Sequence, residues 1–286
     1  MTRPNILLIT TDQQHYNAIG TNNPGIRTPN LDRLAAEGVQ FDRAYCNNPV
    51  CSPSRSTIIT GLYPAWHGCW TIGVKLPEDV PTVGDLFQAH GYDATLIGKA
   101  HFQPTRAQPG SESIECHPVL RDLDFWRGFY GPWYGFNHVE TARMHTHEHL
   151  VGQHYAIWME EQGFAEWRDY FQKWPVDAED KYRSPQYTRG AMAWDIPEEF
   201  HHTHWIGERT AANIERAVQE HKPFFLWASF FDPHPPYAIP EPWASMYDPG
   251  HMRPGLFVEG EFDDMPPQFA KTREQHPDFS MYREVG

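Results

Sequence analysis

Two uninterrupted apolar runs constrain this chain more than any other feature: Pro4-Asn-Ile-Leu-Leu-Ile-Thr-Thr11 and Pro223-Phe-Phe-Leu-Trp-Ala-Ser-Phe-Phe231. Each has the length of one strand, is rich in β-branched or aromatic residues, and lacks the polar alternation of a strand with one wet face. Such runs predict strands buried on both faces, the condition of a parallel sheet covered by helices. Each also stops at a polar cluster, Asp12-Gln13-Gln14 after the first and Asp232-Pro233-His234-Pro235-Pro236 after the second. The C-terminal ends of parallel strands open into the crevice where α/β proteins bind ligands, so these clusters are the first candidates for a site.

Helical segments fall between the strands. Thr28 to Gly38 carries an N-cap threonine, Pro29 at the first helical position and a closing glycine, with Leu31, Leu34 and Ala35 as its core face. Val39 to Tyr45 reads as the strand after it. Thr82 to His90 is a helix closed by Gly91, and Tyr92 to Ile97 is the next strand. Trp205 to His221 is the strongest helix, with Ile206, Thr210, Ile214, Ala217, Val218 and His221 along one face. This alternation predicts an α/β fold, a mainly parallel sheet sandwiched by helices. The chain 1–286 reads as one catalytic domain. Its core is 1–105 and 205–237, with an aromatic and His-rich insertion at 107–204 and an irregular Pro-rich, acidic segment at 238–286. The aromatic loops of the insertion could stack on a sugar or aryl ring, but core packing is the commoner use of such residues. His145, His147, His149, His154, His201, His202 and His204 lack cysteine partners or an HExxH frame, so they read as solvated, partly buried histidines and not as a metal site.

The formal net charge of −14 excludes a nucleic-acid partner, which would need a basic face. No apolar run approaches the ~20 residues that span a bilayer, so neither a signal peptide nor a membrane anchor is expected. Four cysteines, Cys46, Cys51, Cys69 and Cys116, do not make a disulfide framework, and a reducing cytoplasm is the expected location.

Chemistry concentrates at Cys51-Ser52-Pro53-Ser54-Arg55. Pro53 suits the first turn of a helix, so Ser54 to Thr60 reads as a short helix stopped by Gly61. Cys51 then sits at the positive helix end, where free N–H groups favour an anion or thiolate, and Arg55 adds a fixed charge one turn on. Asp12 and Gln13 supply oxygens suited to a hard divalent cation. Gly98-Lys99-Ala100-His101 follows another strand, and a lysine and histidine two apart point the same way if the chain stays extended.

Cys-x-Pro-Ser-Arg followed by Thr60-Gly61-Leu62-Tyr63-Pro64 resembles the signature of the type I sulfatases. Thr-Pro-Asn-Leu-Asp-x-Leu-Ala from Thr28, Gly-Lys-x-His at Gly98 and Pro-His-x-Pro at Pro233 match further motifs of that family, so the resemblance runs from residue 4 to 236. It implies an alkaline phosphatase-like fold and hydrolysis of a sulfate monoester by a formylglycine hydrate made from Cys51. Asp12, Gln13 and the modified Cys51 would hold a divalent cation, Ca²⁺ first, with Mn²⁺ or Mg²⁺ as alternatives. Arg55 would stabilise the hydrate, Lys99 would clamp sulfate oxygens, His101 would bind the hydrate, and His234 would protonate the leaving oxygen. The implied partners are a small-molecule or saccharide sulfate ester and a formylglycine-generating enzyme, with a homo-oligomer left open. Gln13 stands where the family often has a second Asp, as in some phosphonate monoester hydrolases, which makes phosphonate monoester or phosphodiester hydrolysis the rival reading. A binding-only homologue or an inactive fragment is the rival of another class.

The same resemblance makes the chain the N-terminal portion of a longer unit. The family's later Asp-Asn-Gly or Asp-His-Gly metal motif is missing, and Asp263-Asp264 lacks an apolar strand to place it in the crevice. The sheet is accordingly expected to be incomplete at the C-terminus. Met281 to Gly286 reads as the opening of the helix before the missing strand.

Overall fold

The structure is a computed structural model that describes residues 3–106, 111–143, 146–171, 191–251 and 258–267. Its centre is a parallel sheet of four strands, β1 (Ile6–Thr10), β2 (Asp93–Lys99), β3 (His138–Ala142) and β5 (Phe224–Ser229), in the spatial order β1-β5-β2-β3. A small parallel pair is formed by β4 (Ala191–Ala193) and β6 (Tyr237–Ile239). The helices are α1 (Pro29–Glu37), α2 (Cys51–Thr60), α3 (Pro64–His67), α4 (Val83–Ala89), α5 (Leu123–Gly128), α6 (Gln153–Glu161) and α7 (His202–Gln219).

The alternation of side chains along β5 divides the core into two layers. Phe224, Leu226 and Ala228 face a cluster that includes Tyr155 and Met159 of α6 and Trp205 and Ile206 of α7. Phe225 and Trp227 face the other cluster, with Ile59 of α2, Phe102 and Phe136. Helices therefore cover both faces of β2 and β5, and both strands are buried along their whole length. Gly98 allows the closest approach in the sheet. Its φ is +98°, and a Cβ placed there would lie 2.1 Å from the carbonyl oxygen of Ser229.

Several expectations are corrected. β1 is not buried on both faces: it pairs with β5 alone among the described residues, and Leu7 and Ile9 remain 43% and 55% exposed on the side no helix covers. Helix α1 buries no residue, and Leu34 of its expected core face is 64% exposed. Thr28 accepts from Gly20 N and donates to Asp32, instead of capping α1 with its side chain. Val39 to Tyr45 forms no strand and stays exposed, with no strand beside it among the described residues. On α7 the buried face is His202, Trp205, Ile206, Thr210, Asn213 and Ala217. Val218 points outward, and His221 lies beyond the helix end.

The segment read as an insertion contributes β3 to the central sheet, so 107 does not separate scaffold from insertion. Many of its described aromatic residues are core: Trp126, Trp133, Tyr134, Phe136, Tyr155 and Trp167 are buried, while Tyr130 is 39% exposed. Asp263-Asp264 lies in a surface turn, and Met281 to Gly286 falls outside the described residues.

Candidate active site

Helix α2 begins at Cys51, three residues earlier than the sequence predicts, with Val50 as a cap that offers no side-chain acceptor. The first N–H groups of α2 are thus left uncapped by any side chain, the arrangement that favours an anion at a helix start. Gly61, at φ 68°, closes the helix in the left-handed conformation expected of it.

Three strand ends meet this helix. Arg55 is buried against them and donates from Nη1 to Lys99 O at 2.7 Å and to Ser229 Oγ at 2.6 Å, and from Nη2 to Asp12 Oδ2 at 3.2 Å. Lys99, the last residue of β2, also donates to Asp12 Oδ2. One carboxylate therefore bridges the ends of β1 and β2 and the second turn of α2. Burial alone would raise the Asp12 carboxyl, but Lys99 and Arg55 outweigh it and hold it below the usual range. Burial, and then Arg55, push Lys99 down to about 8.

A cavity of about 480 Å³ opens above this network, lined by Asp12, Gln13, Cys51, Ser54, Arg55 and His234 among others. Gln13 holds φ 63°, a left-handed conformation uncommon for a side chain of its size, and projects from an exposed position on the rim. His234 is part-buried, and its ring Nδ1 lies 2.6 Å from Pro235 O. Burial, then Lys99, lowers its pKa, so the ring is biased toward the neutral form.

Lys99 and His101 do not project side by side. The extended conformation ends at Lys99, and His101 turns to φ 60° and is buried beneath the cavity wall. Burial, followed by the charges of Arg143 and Lys99, drives its pKa well below the ordinary value. Three site neighbours carry no motif of their own. Ser229 anchors Arg55. Glu115, itself buried, accepts from His101 N and Gln103 N, each at 2.8 Å, and so pins the turn after β2. Arg143, the residue after β3, is buried, with Nε and Nη1 unpartnered among the described residues. The available signal was positional, since both Ser229 and Arg143 stand at the C-terminal end of a sheet strand.

The histidines are also redistributed. His147, His154, His201 and His202 are buried and not solvated, while His149 and His204 are exposed and His145 lies outside the described residues. Burial holds both His154 and His201 near 4.

The donor set at the cavity fits a hard divalent cation in kind, because the Asp12 carboxylate and the Gln13 amide oxygen are the ligand types such an ion takes. Asp12 is the single carboxylate lining the cavity among the described residues, and its Oδ2 already serves Lys99 and Arg55.

A helix-start cysteine, a buried carboxylate held by two cations and a histidine thus meet at the strand ends of a parallel α/β sheet. The sulfatase family profile matches residues 4–253, and the chain belongs to that family, within the alkaline phosphatase-like superfamily. An arylsulfatase of Clostridium perfringens is 31% identical over 248 residues, 86% of this chain and 46% of its own length. A multifunctional alkaline phosphatase superfamily protein of Trinickia caryophylli is 28% identical over 97% of this chain and 48% of its own. The crystal structure of the phosphonate monoester hydrolase of Agrobacterium radiobacter aligns with a TM-score of 0.61 at 26% identity, covering 89% of this chain and 45% of that one. The chain spans about half the length of the curated relatives it matches.

Proposed function

We propose that the protein of which this chain is part hydrolyses sulfate monoesters, with Cys51, converted to formylglycine, as nucleophile. The observation that carries this reading is the position of Cys51 at the uncapped start of α2, lining one cavity with Arg55, Asp12 and His234. An ordinary thiol would remain as a covalent ester that water must attack, whereas an aldehyde hydrate has a second hydroxyl for that step. One hydroxyl attacks sulfur while the S–O bond to the alcohol breaks. The negative charge of the bound sulfate offsets the burial that favours neutral His234, and the imidazolium so formed gives the departing oxygen its proton. Loss of the other hydroxyl's proton then expels sulfate and restores the aldehyde.

Arg55 supplies fixed positive charge beside Cys51, and its two anchors on Lys99 O and Ser229 Oγ keep it from swinging away. Lys99 reaches sulfate oxygens next to Asp12. His101, neutral and buried, would support the hydrate from beneath. Asp12, Gln13 and the Cys51-derived group would hold a divalent cation, Ca²⁺ or else Mn²⁺ or Mg²⁺, and a bound cation would supply Lewis-acid polarisation of the ester oxygens. The substrate is a small-molecule or saccharide sulfate, and a formylglycine-generating enzyme acts on Cys51 during maturation. A cytoplasmic location fits the free thiols of Cys46, Cys69 and Cys116.

Hydrolysis of phosphonate monoesters is the second reading. It is favoured by Gln13 and by the similarity to the Agrobacterium hydrolase. Paired assays on an aryl sulfate and a phenylphosphonate ester separate the two through their kcat/KM values. The sulfate reading expects the aryl sulfate to be preferred, and preference for the phosphonate replaces it with the second.

A further inference from the structure

We propose that His201, His202 and Asp232 form a second metal site, one for a zinc-class divalent ion, separate from the Cys51 cavity. His201 caps α7 and His202 is its first residue, while Asp232 lies three residues beyond the end of β5. The fold thus brings together donors about 30 residues apart in sequence. Nε2 of His201 and Nε2 of His202 lie 3.9 and 3.8 Å from Asp232 Oδ2, and one donor atom from each of the three residues falls within 4.8 Å of the others. Bonds of about 2.0–2.2 Å to zinc place neighbouring ligand atoms roughly 3.3–3.6 Å apart, so the two histidine–carboxylate separations close with a shift of a few tenths of an ångström, and the histidine pair, within 4.8 Å, with a ring movement of at most about 1.5 Å.

The donor chemistry selects the ion. Two imidazoles and one carboxylate suit Zn²⁺ and its first-row neighbours, whereas Ca²⁺ takes oxygens. Both histidines are buried, but the Asp232 side chain is 38% exposed and faces a cavity of about 270 Å³ whose walls include Glu198, His204 and Trp243. Three protein ligands with one side open leave a coordination position for an outside ligand. His201 Nδ1 accepts from Thr203 N at 3.3 Å and the ring also bonds the Ala238 backbone, so the tautomer and position that offer Nε2 to an ion give up these two bonds against the metal bonds gained. Asp232 O in turn accepts from Asp12 N at 3.3 Å. An ion here would therefore clamp the start of α7 to the segment that delivers His234.

The test is calorimetric titration of the 286-residue chain, stripped with chelator, with Zn²⁺ in the presence of excess Ca²⁺, repeated with Co²⁺ and read by its d–d absorption. One equivalent of Zn²⁺ is expected, unchanged in Asp12→Ala and weakened at least about 100-fold in Asp232→Asn and in His201→Gln. Metal-free melting curves of each variant identify any loss that reflects misfolding, and the wild-type and Asp12→Ala titrations decide the matter without those variants. Absence of a Zn²⁺ equivalent in the wild-type chain, its loss in Asp12→Ala, or its survival in folded Asp232→Asn and His201→Gln overturns the proposal.

Discussion

Asp12 has to hold two cations in place while leaving one oxygen for the cavity, and the residues around it make that arrangement rigid. Arg55 is fixed at three points, one of which is Ser229 Oγ. Ser229→Ala removes that anchor without opening a large void, so kcat/KM for the mature enzyme should fall about tenfold with little change in melting temperature. On the proposed role of Lys99 as a clamp on sulfate oxygens, Lys99→Met should cost more, about a hundredfold or beyond, because it deletes that charge. Steady-state kinetics on an aryl sulfate measures both. The positions of Cys51, Arg55, Asp12 and Lys99 at strand and helix ends were legible in the sequence, since motif residues there have few places to go. The sequence did not reveal Ser229, Glu115 or Arg143: the first two act through contacts more than ten residues away in the chain, and none of the three sits in a distinctive local pattern. It also misplaced His101, whose left-handed backbone nothing in Gly-Lys-Ala-His announces.

Elements were legible where they are covered on both faces and misread where they are not. β2 and β5 appear as expected, because helices lie against both their sides. β1, and to a lesser degree α1 and 39–45, carry apolar residues too, yet apolar composition says that a segment prefers cover and not what supplies it. Tyr45 is 87% exposed. Gly98 marks the tightest element contact: Gly98→Ala would drive a methyl into the Ser229 carbonyl at a positive φ, and a loss of at least about 2 kcal/mol is expected in a denaturant titration. Glu140 of β3 ties that strand to α7 through Arg209, at 2.6 Å, and Asn213, at 2.9 Å. Burial would raise its pKa, but bonds from His138, Arg209 and Asn213 bring it to about 2. A depressed folded-state pKa contributes stability above the unfolded value of 4.5 that is lost as pH falls toward about 2, on the order of 3 kcal/mol in full. Wild type should therefore exceed Glu140→Gln in stability at pH 6, and the gap should shrink toward zero near pH 2.

A net charge of −14 and a site for an anion are compatible only if the positive charge is gathered where the anion binds. The molecule does this with Arg55, Lys99 and Arg143, all buried near the same strand ends. One carboxylate at the cavity is little for a divalent hard cation, whose affinity grows with the number of charged ligands. The 286-residue chain should accordingly bind Ca²⁺ weakly, with the residual heat in calorimetry abolished by Asp12→Ala. Tight binding untouched by that change would mean that the cation sits elsewhere. The central claim, that Cys51 is the precursor of the nucleophile, is tested most directly by the mass of the peptide carrying residue 51 after expression with a formylglycine-generating enzyme. The account predicts an aldehyde at that position, and an unmodified thiol under those conditions would contradict it.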